Sequence, residues 1–250
     1  SQSMLSFFNG INTDAKRFDL QHGTVHARNE SYLNDGLVSR NLKENDTHLL
    51  LSGVAYKELL TKNDRENYFQ NHIQVIGSSV VQFNAVIASE LNKNVLVSLQ
   101  FTHDHSKDEN QQIADSLEQL IKKESTFHFY LKNHPRFNNE VNLTRFLLLP
   151  NVSLFSSDLK EAFARCSFHL TAYSTVTFEA ALHGIPTCFL QSNSFKMDIF
   201  KTQYIYPFYT NSLADLYNSY SACTLQTKKW AEQFYQPFCE VSFLKALKNG

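Results

Sequence analysis

The sequence predicts an α/β protein built on doubly wound parallel sheets. Three observations carry that prediction. Short β-branched or aromatic runs alternate with longer stretches of helical period, which is the pattern of βα units and not of hairpins. Glycine and proline are sparse, at 7 and 5 residues, while aromatics reach 13%, so disordered and collagen-like chains are excluded. A chain of 250 residues, 42% of them hydrophobic, is long enough to bury most of its apolar side chains.

Taken in order, the apolar runs predict strands at 47–51, 73–76, 95–101, 127–131, 152–155, 168–172 and 187–190. Between them, 108–124 carries Ile113, Leu117, Leu120 and Ile121, the stripe of a helix that packs one face on a sheet. Shorter helices are expected at 159–166 and 176–183, and a terminal one at 228–247, interrupted at Pro237. The best internal boundary lies at 90–94, where a helix-like stretch ends and Asn92-Lys93-Asn94 precedes Val95-Leu96-Val97. Residues 1–92 then read as the end part of an incomplete first domain, and 93–250 as a nearly complete second one. Ser1-Gln2-Ser3 ahead of Met4 reads as a cloning remnant, with no signal peptide after it.

Charge narrows the partners. With 23 Lys+Arg against 24 Asp+Glu, no bulk attraction for nucleic acid is expected. Cys166, Cys188, Cys223 and Cys239 form no CxxC pair, which argues for a reducing compartment and against a zinc or disulfide framework. No apolar run approaches the roughly 20 residues needed to cross a bilayer. The nucleotide fingerprints G-x-G-x-x-G and the P-loop are absent, as is the G-x-S-x-G of hydrolases. His103-Asp104-His105 lacks a third ligand at a useful spacing, so no metal is expected there.

Four segments fall where a strand should give way to a loop, the place where open α/β sheets bind ligands. In Gln21-His22-Gly23-Thr24, an imidazole sits on a tight turn, and the absent side chain of Gly23 would let a substrate approach. His22 suits a general base, although spacing alone favours a hydrogen bond to a loop carbonyl. In Lys132-Asn133-His134-Pro135-Arg136, Pro135 ends the strand and holds His134 extended, projecting from the sheet edge. Lys132 and Arg136 flank it; they suit a phosphate or are equally well solvated surface charges.

The third segment runs from Ala172 to Pro186. Ser174 and Thr175 open a helix without an acidic capping-box partner, so its first amides are expected to be free for an anion. Glu179 lies one turn deeper on the Thr175 face, placed for sugar hydroxyls; a helix cap and a neighbouring ion pair are the structural alternative. In the fourth segment, 152–158, Ser157 or Asp158 caps the following helix, and only backbone near Phe155 and Ser156 would meet a ligand.

In this order the motifs resemble the two-domain GT-B glycosyltransferases, especially bacterial capsule and lipopolysaccharide enzymes and the related polysialyltransferases and teichoic-acid glycerophosphotransferases. The residues that carry it are Gln21-His22-Gly23-Thr24, Lys132-Asn133-His134-Pro135, and Ser174-Thr175 with Phe178-Glu179-Ala180 and Gly184-Ile185-Pro186, spanning 18–190. The resemblance implies Rossmann-like domains and a metal-independent, cofactor-free transfer of a sugar from a nucleotide-sugar donor to a hydroxyl of a glycan or lipid-linked acceptor. It assigns His22 as catalytic base or acceptor-side contact, with Gln21, Gly23 and Thr24 in the acceptor-side loop. His134, Ser174 and Thr175, with Lys132 and Arg136, would bind the donor phosphates, His134 also acting in catalysis, and Glu179 the ribose or sugar. It further implies a cytoplasmic protein, with peripheral association at the inner face of the plasma membrane left open, and a longer amino-terminal half in the natural protein. The rival readings are a nucleotide-sugar 2-epimerase of the same architecture, for which Glu179 is the one well-placed carboxylate, and a non-catalytic donor-binding module.

Overall fold

The computed structural model describes residues 16–79, 90–190 and 195–249. The helix-like stretch ahead of 90 and the residues around Met4 lie outside them. The chain divides into two compact units, residues 1–83 with 232–250, and residues 84–231. The sequence predicts one domain over 93–250; the structure groups 232–250 with the amino-terminal residues.

The first unit contains β1 (Arg17–Leu20), the short hairpin β2 (Leu33–Asn34) and β3 (Leu37–Val38), α1 (Arg40–Glu44), β4 (Thr47–Leu51), α2 (Val54–Asn63) and β5 (Ile73–Val75). Strands β1, β4 and β5 form a parallel sheet in the order β1-β4-β5. Asp35 and Gly36 turn the hairpin with φ of 48° and 80°, the pair of positive values that a two-residue Asp-Gly turn supplies.

In the second unit, five parallel strands alternate with helices: β6 (Asn94–Ser98), α3 (Lys107–Lys123), β7 (His128–Lys132), α4 (Thr144–Leu147), β8 (Val152–Leu154), α5 (Leu159–Arg165), β9 (Phe168–Thr171), α6 (Val176–Leu182) and β10 (Thr187–Phe189). Then follow α7 (Phe195–Thr202), α8 (Leu213–Asn218) and α9 (Tyr220–Phe234). The sheet order is β10-β9-β6-β7-β8. Period-two alternation sends Val95 and Val97 to one face, against Ile113, Leu117 and Ile121 of α3, and Leu96 to the other, against Phe163, Ala180 and Ile185. Both faces are therefore dry, as a sheet covered by helices on each side requires.

Local signals explain the helix ends. Ser106 and Glu109 form a reciprocal capping box at the start of α3. Gly184, at φ 72°, closes α6: its N–H bonds Ala181 O at 2.9 Å and that of Ile185 bonds Ala180 O at 2.9 Å. The expected terminal helix is two, broken around Pro237, with α9 starting earlier and α10 (Glu240–Asn249) following. The end of α9 returns to the first unit because Gly53 has no side chain: a Cβ there would lie 2.3 Å from Phe234 O. Phe234 O accepts from Ser52 Oγ at 2.9 Å, and the Phe234 ring meets Tyr56 edge-on at 5.0 Å. Ala246 and Phe243 of α10 then pack on Leu50 and Ile76.

Candidate active site

Chain order reverses between β6 and β9, so the crevice outside their carboxyl ends is where a sheet of this order takes a ligand. The loops after β6, β7 and β9 are tied into one framework there. Gln100 Oε1 accepts the Tyr173 N–H at 2.8 Å and the Thr171 hydroxyl at 3.3 Å. The Tyr173 hydroxyl bonds His105 Nε2. Arg136 makes two hydrogen bonds to Asp104, at 2.5 and 3.2 Å, and the Asn138 N–H reaches Phe101 O at 3.2 Å. Gln100, Asp104 and His105 carried no functional assignment in the sequence, because each acts through a partner distant along the chain.

His134 stands in the β7 loop, half-buried. Its Nδ1 accepts the Arg136 N–H at 3.0 Å, so a neutral ring carries its proton on Nε2. Burial lowers the pKa of this imidazole, Arg136 lowers it further, and Asp104 opposes both. The neutral ring with an Nε2–H donor is thus the favoured form near pH 7. Beside it, Asn133 Oδ1 is buried without a hydrogen-bond partner, an acceptor open to a ligand donor. Lys132 is already engaged: its ammonium bonds Ser157 O and lies 5.8 Å from the centre of the Phe155 ring. Arg136 is likewise paired, though exposed.

At the β9 loop the structure corrects the expectation of bare amides. Ser174, 6% exposed, accepts the Val176 N–H on its hydroxyl at 3.2 Å. The Thr177 N–H bonds Ser174 O at 3.1 Å and the Phe178 N–H bonds Thr175 O at 3.0 Å. The helix start satisfies itself by a side-chain bond two residues on, a spacing different from the three residues of a capping box. Thr175 is exposed at the same turn. Glu179 is also open to solvent, and the protein mass around its carboxyl raises its pKa. In the fourth segment Asp158 caps α5 through the Glu161 N–H at 2.8 Å.

In the first unit, Gln21 folds the loop after β1. Its Oε1 accepts the Ser52 N–H at 2.9 Å and hydroxyl at 3.0 Å, and its Nε2 donates to Gly23 O at 2.7 Å. His22 is exposed, Thr24 half-buried, and a Cβ on Gly23 would meet nothing within 4 Å, so this turn has open space beside it. Sequence pattern alone assigns Asp19 no role. Burial raises its carboxyl pKa, while His22 and a hydrogen bond from Tyr32 pull it down, which puts a carboxylate within electrostatic reach of the His22 imidazole. Among the described residues, a grouping with metal-ligand spacing is Asp46, His48 and His72, at the opposite edge of this sheet.

No protein-family profile and no curated protein sequence matches the chain. Solved structures do. A variant of the wall teichoic acid polymerase TagF aligns over 95% of this chain and 68% of its own, at 15% identity and a TM-score of 0.50. The UDP-GlcNAc 2-epimerase of Neisseria meningitidis, bound to UDP-GlcNAc, aligns over 100% and 82%, at 13% identity and 0.46. TarM aligns over 98% and 49%, at 16% and 0.47. With its parallel five-stranded sheet and the likeness to TagF, the chain has the Rossmann-like α/β fold of the GT-B glycosyltransferases.

Proposed function

We propose that the protein is a glycosyltransferase of surface or cell-wall polymer synthesis, moving a sugar from a nucleotide-sugar to a hydroxyl of a glycan or lipid-linked acceptor. The observation that carries the reading is the fixed tautomer of His134 at the carboxyl edge of the second unit's sheet. A diphosphate brought there meets an N–H donor at Nε2 and favours the protonated ring, so negative charge on the leaving group is met as it grows. The Thr175 hydroxyl and the orphaned Asn133 Oδ1 add an exposed donor and a buried acceptor, and Glu179 accepts from ribose or sugar hydroxyls. Ser174 shapes this turn, while Lys132 and Arg136 would have to leave Ser157 O and Asp104 to reach phosphate. These protein groups face the diphosphate in place of a metal ion.

His22 supplies the base. The acceptor proton passes to the imidazole, the acceptor oxygen bonds the anomeric carbon, and the bond from that carbon to the diphosphate oxygen breaks with its electron pair on the leaving group. The likeness to a teichoic acid polymerase supports the fold this reading needs. Such a protein works at the cytoplasmic face of the membrane, where no long apolar helix is required; among the described residues no helix is long and apolar enough to cross one.

The test is thermal denaturation of the whole chain with UDP, CMP, CDP and GDP. One of them raises Tm, His134→Ala abolishes the rise, and turnover by that variant drops about 10²-fold. A flat profile with all four favours a non-catalytic module and overturns the proposal. Appearance of a C2 epimer from nucleotide-sugar without acceptor would instead establish the epimerase.

A further inference from the structure

Three metal-ligating side chains meet at the amino-terminal edge of the first unit's sheet, opposite the edge that carries the His22 loop. Asp46 directly precedes β4, His48 is the second residue of that strand, and His72 directly precedes β5. Parallel pairing brings them together: the Leu49 N–H bonds His72 O at 2.7 Å, and Leu49 lies in register with Ile73. One ligand atom from each residue lies within 4.8 Å of the other two.

The protonation of His72 makes this more than proximity. Its Nδ1 is 2.7 Å from Tyr68 O, a carbonyl that only accepts, so Nδ1 carries a hydrogen and the Nε2 of a neutral ring is a lone pair. That Nε2 faces Asp46 Oδ1 at 3.0 Å. Two acceptors at this distance need a positive centre between them, either a proton or a cation. A second imidazole stands beside this pair: the rings of His48 and His72 are 4.8 Å apart, so a cation between Asp46 Oδ1 and His72 Nε2 has a third ligand within reach.

We propose that Asp46, His48 and His72 hold one divalent transition-metal ion of the zinc type, with water completing its coordination. Two imidazoles and a carboxylate suit Zn²⁺, Co²⁺ or Ni²⁺, and ligands at about 2.0–2.2 Å in a tetrahedron stand roughly 3.3 Å apart, close to the 3.0 Å already present. An outer shell is in place. The Tyr68 carbonyl orients His72, its ring stacks on the imidazole at 3.8 Å and 7°, and its hydroxyl donates to Leu42 O and Thr47 O at 2.9 and 3.0 Å. The Asp46 side chain is 76% exposed, leaving an entry path. The ion would tie the entrances of β4 and β5 together and stabilise this unit.

Calorimetric titration of the chelator-treated full chain with zinc chloride tests it. We expect one equivalent to bind and Tm to rise, with affinity reduced at least tenfold in Asp46→Asn combined with His48→Gln; Asn tolerates the left-handed φ of 46° at that position. Cobalt(II) should give the intense visible bands of a tetrahedral site in the wild type. Absence of stoichiometric zinc, absence of those bands, or undiminished binding by the double variant would each overturn the site.

Discussion

Arg136 and Asp104 act on the His134 imidazole with opposite signs, and their own ion pair sets the balance. Replacing Asp104 by Asn removes the one attraction for the imidazolium, so the His134 pKa falls further. Arg136→Gln removes a repulsion and raises it. An NMR titration of the ring resonances reads both directions; equal shifts in the two variants would contradict the arrangement. A second histidine titrates for a structural reason. His169 is wholly buried in β9, with Nδ1 3.0 Å from Thr187 Oγ1 and Nε2 2.9 Å from Ser98 Oγ, and burial pushes its pKa down to about 3. The unfolded chain binds this proton from about pH 6.5 downward, whereas the folded chain does not until about pH 3. Stability is therefore full above that window and is lost as pH falls through it, by roughly 2–3 kcal/mol at about pH 4.5. Denaturant unfolding at about pH 7 and 4.5 should show that loss in the wild type and much less of it in His169→Gln.

Element ends were legible where one residue type enforces them. Gly184 and Pro186 marked the close of α6, Pro237 marked the break before α10, and the stripe from Ile113 to Ile121 marked α3 to within a residue at each end. The apolar run predicts a strand as far as Phe101, but β6 ends at Ser98. The Leu99 N–H still bonds Lys132 O at 3.0 Å, after which the Gln100 side chain captures the Tyr173 amide and draws the chain off the sheet. That bond joins residues far apart in sequence, so no local pattern announces it. The same contrast governs Gly184. Its φ of 72° is readable as a glycine requirement, but a Cβ there would also lie 2.8 Å from Thr224 Cγ2 on α9. Gly184→Ala should cost about 1–2 kcal/mol for the left-handed backbone, plus the steric clash. Adding Thr224→Ala removes the second term alone, so thermal unfolding of the double variant should recover part of the loss; full recovery would mean the backbone is unstrained.

At the scale of the whole molecule, the return of the chain is what local reading misses, because the Gly53 to Phe234 contact joins a helix start to a helix end with no shared motif. It is also what holds the first unit together. Gln236 N–H bonds Ser52 O at 2.9 Å, Cys239 N–H bonds Ile76 O at 2.8 Å, and Gly77, at φ 80°, lies so close to Pro237 that a Cβ would be 2.1 Å from its carbonyl oxygen. These bonds run along the carboxyl ends of β4 and β5, and Ser52, directly after β4, anchors Gln21 and so shapes the loop bearing His22. Ending the chain after Ala231 removes all of them and strips the cover from Leu50, Ile76 and Tyr56. Hydrogen exchange should then show lost protection throughout β1, β4 and β5, while β6, β7 and β9, whose core residues belong to the second unit, keep theirs. Retained protection in β4 and β5 would mean that the three-stranded sheet stands without its carboxyl-terminal helix. Gly53→Val approaches the same state by a single clash, since its side chain has no room against the Phe234 backbone; it should weaken the first unit selectively and, through Ser52 and Gln21, loosen the His22 loop.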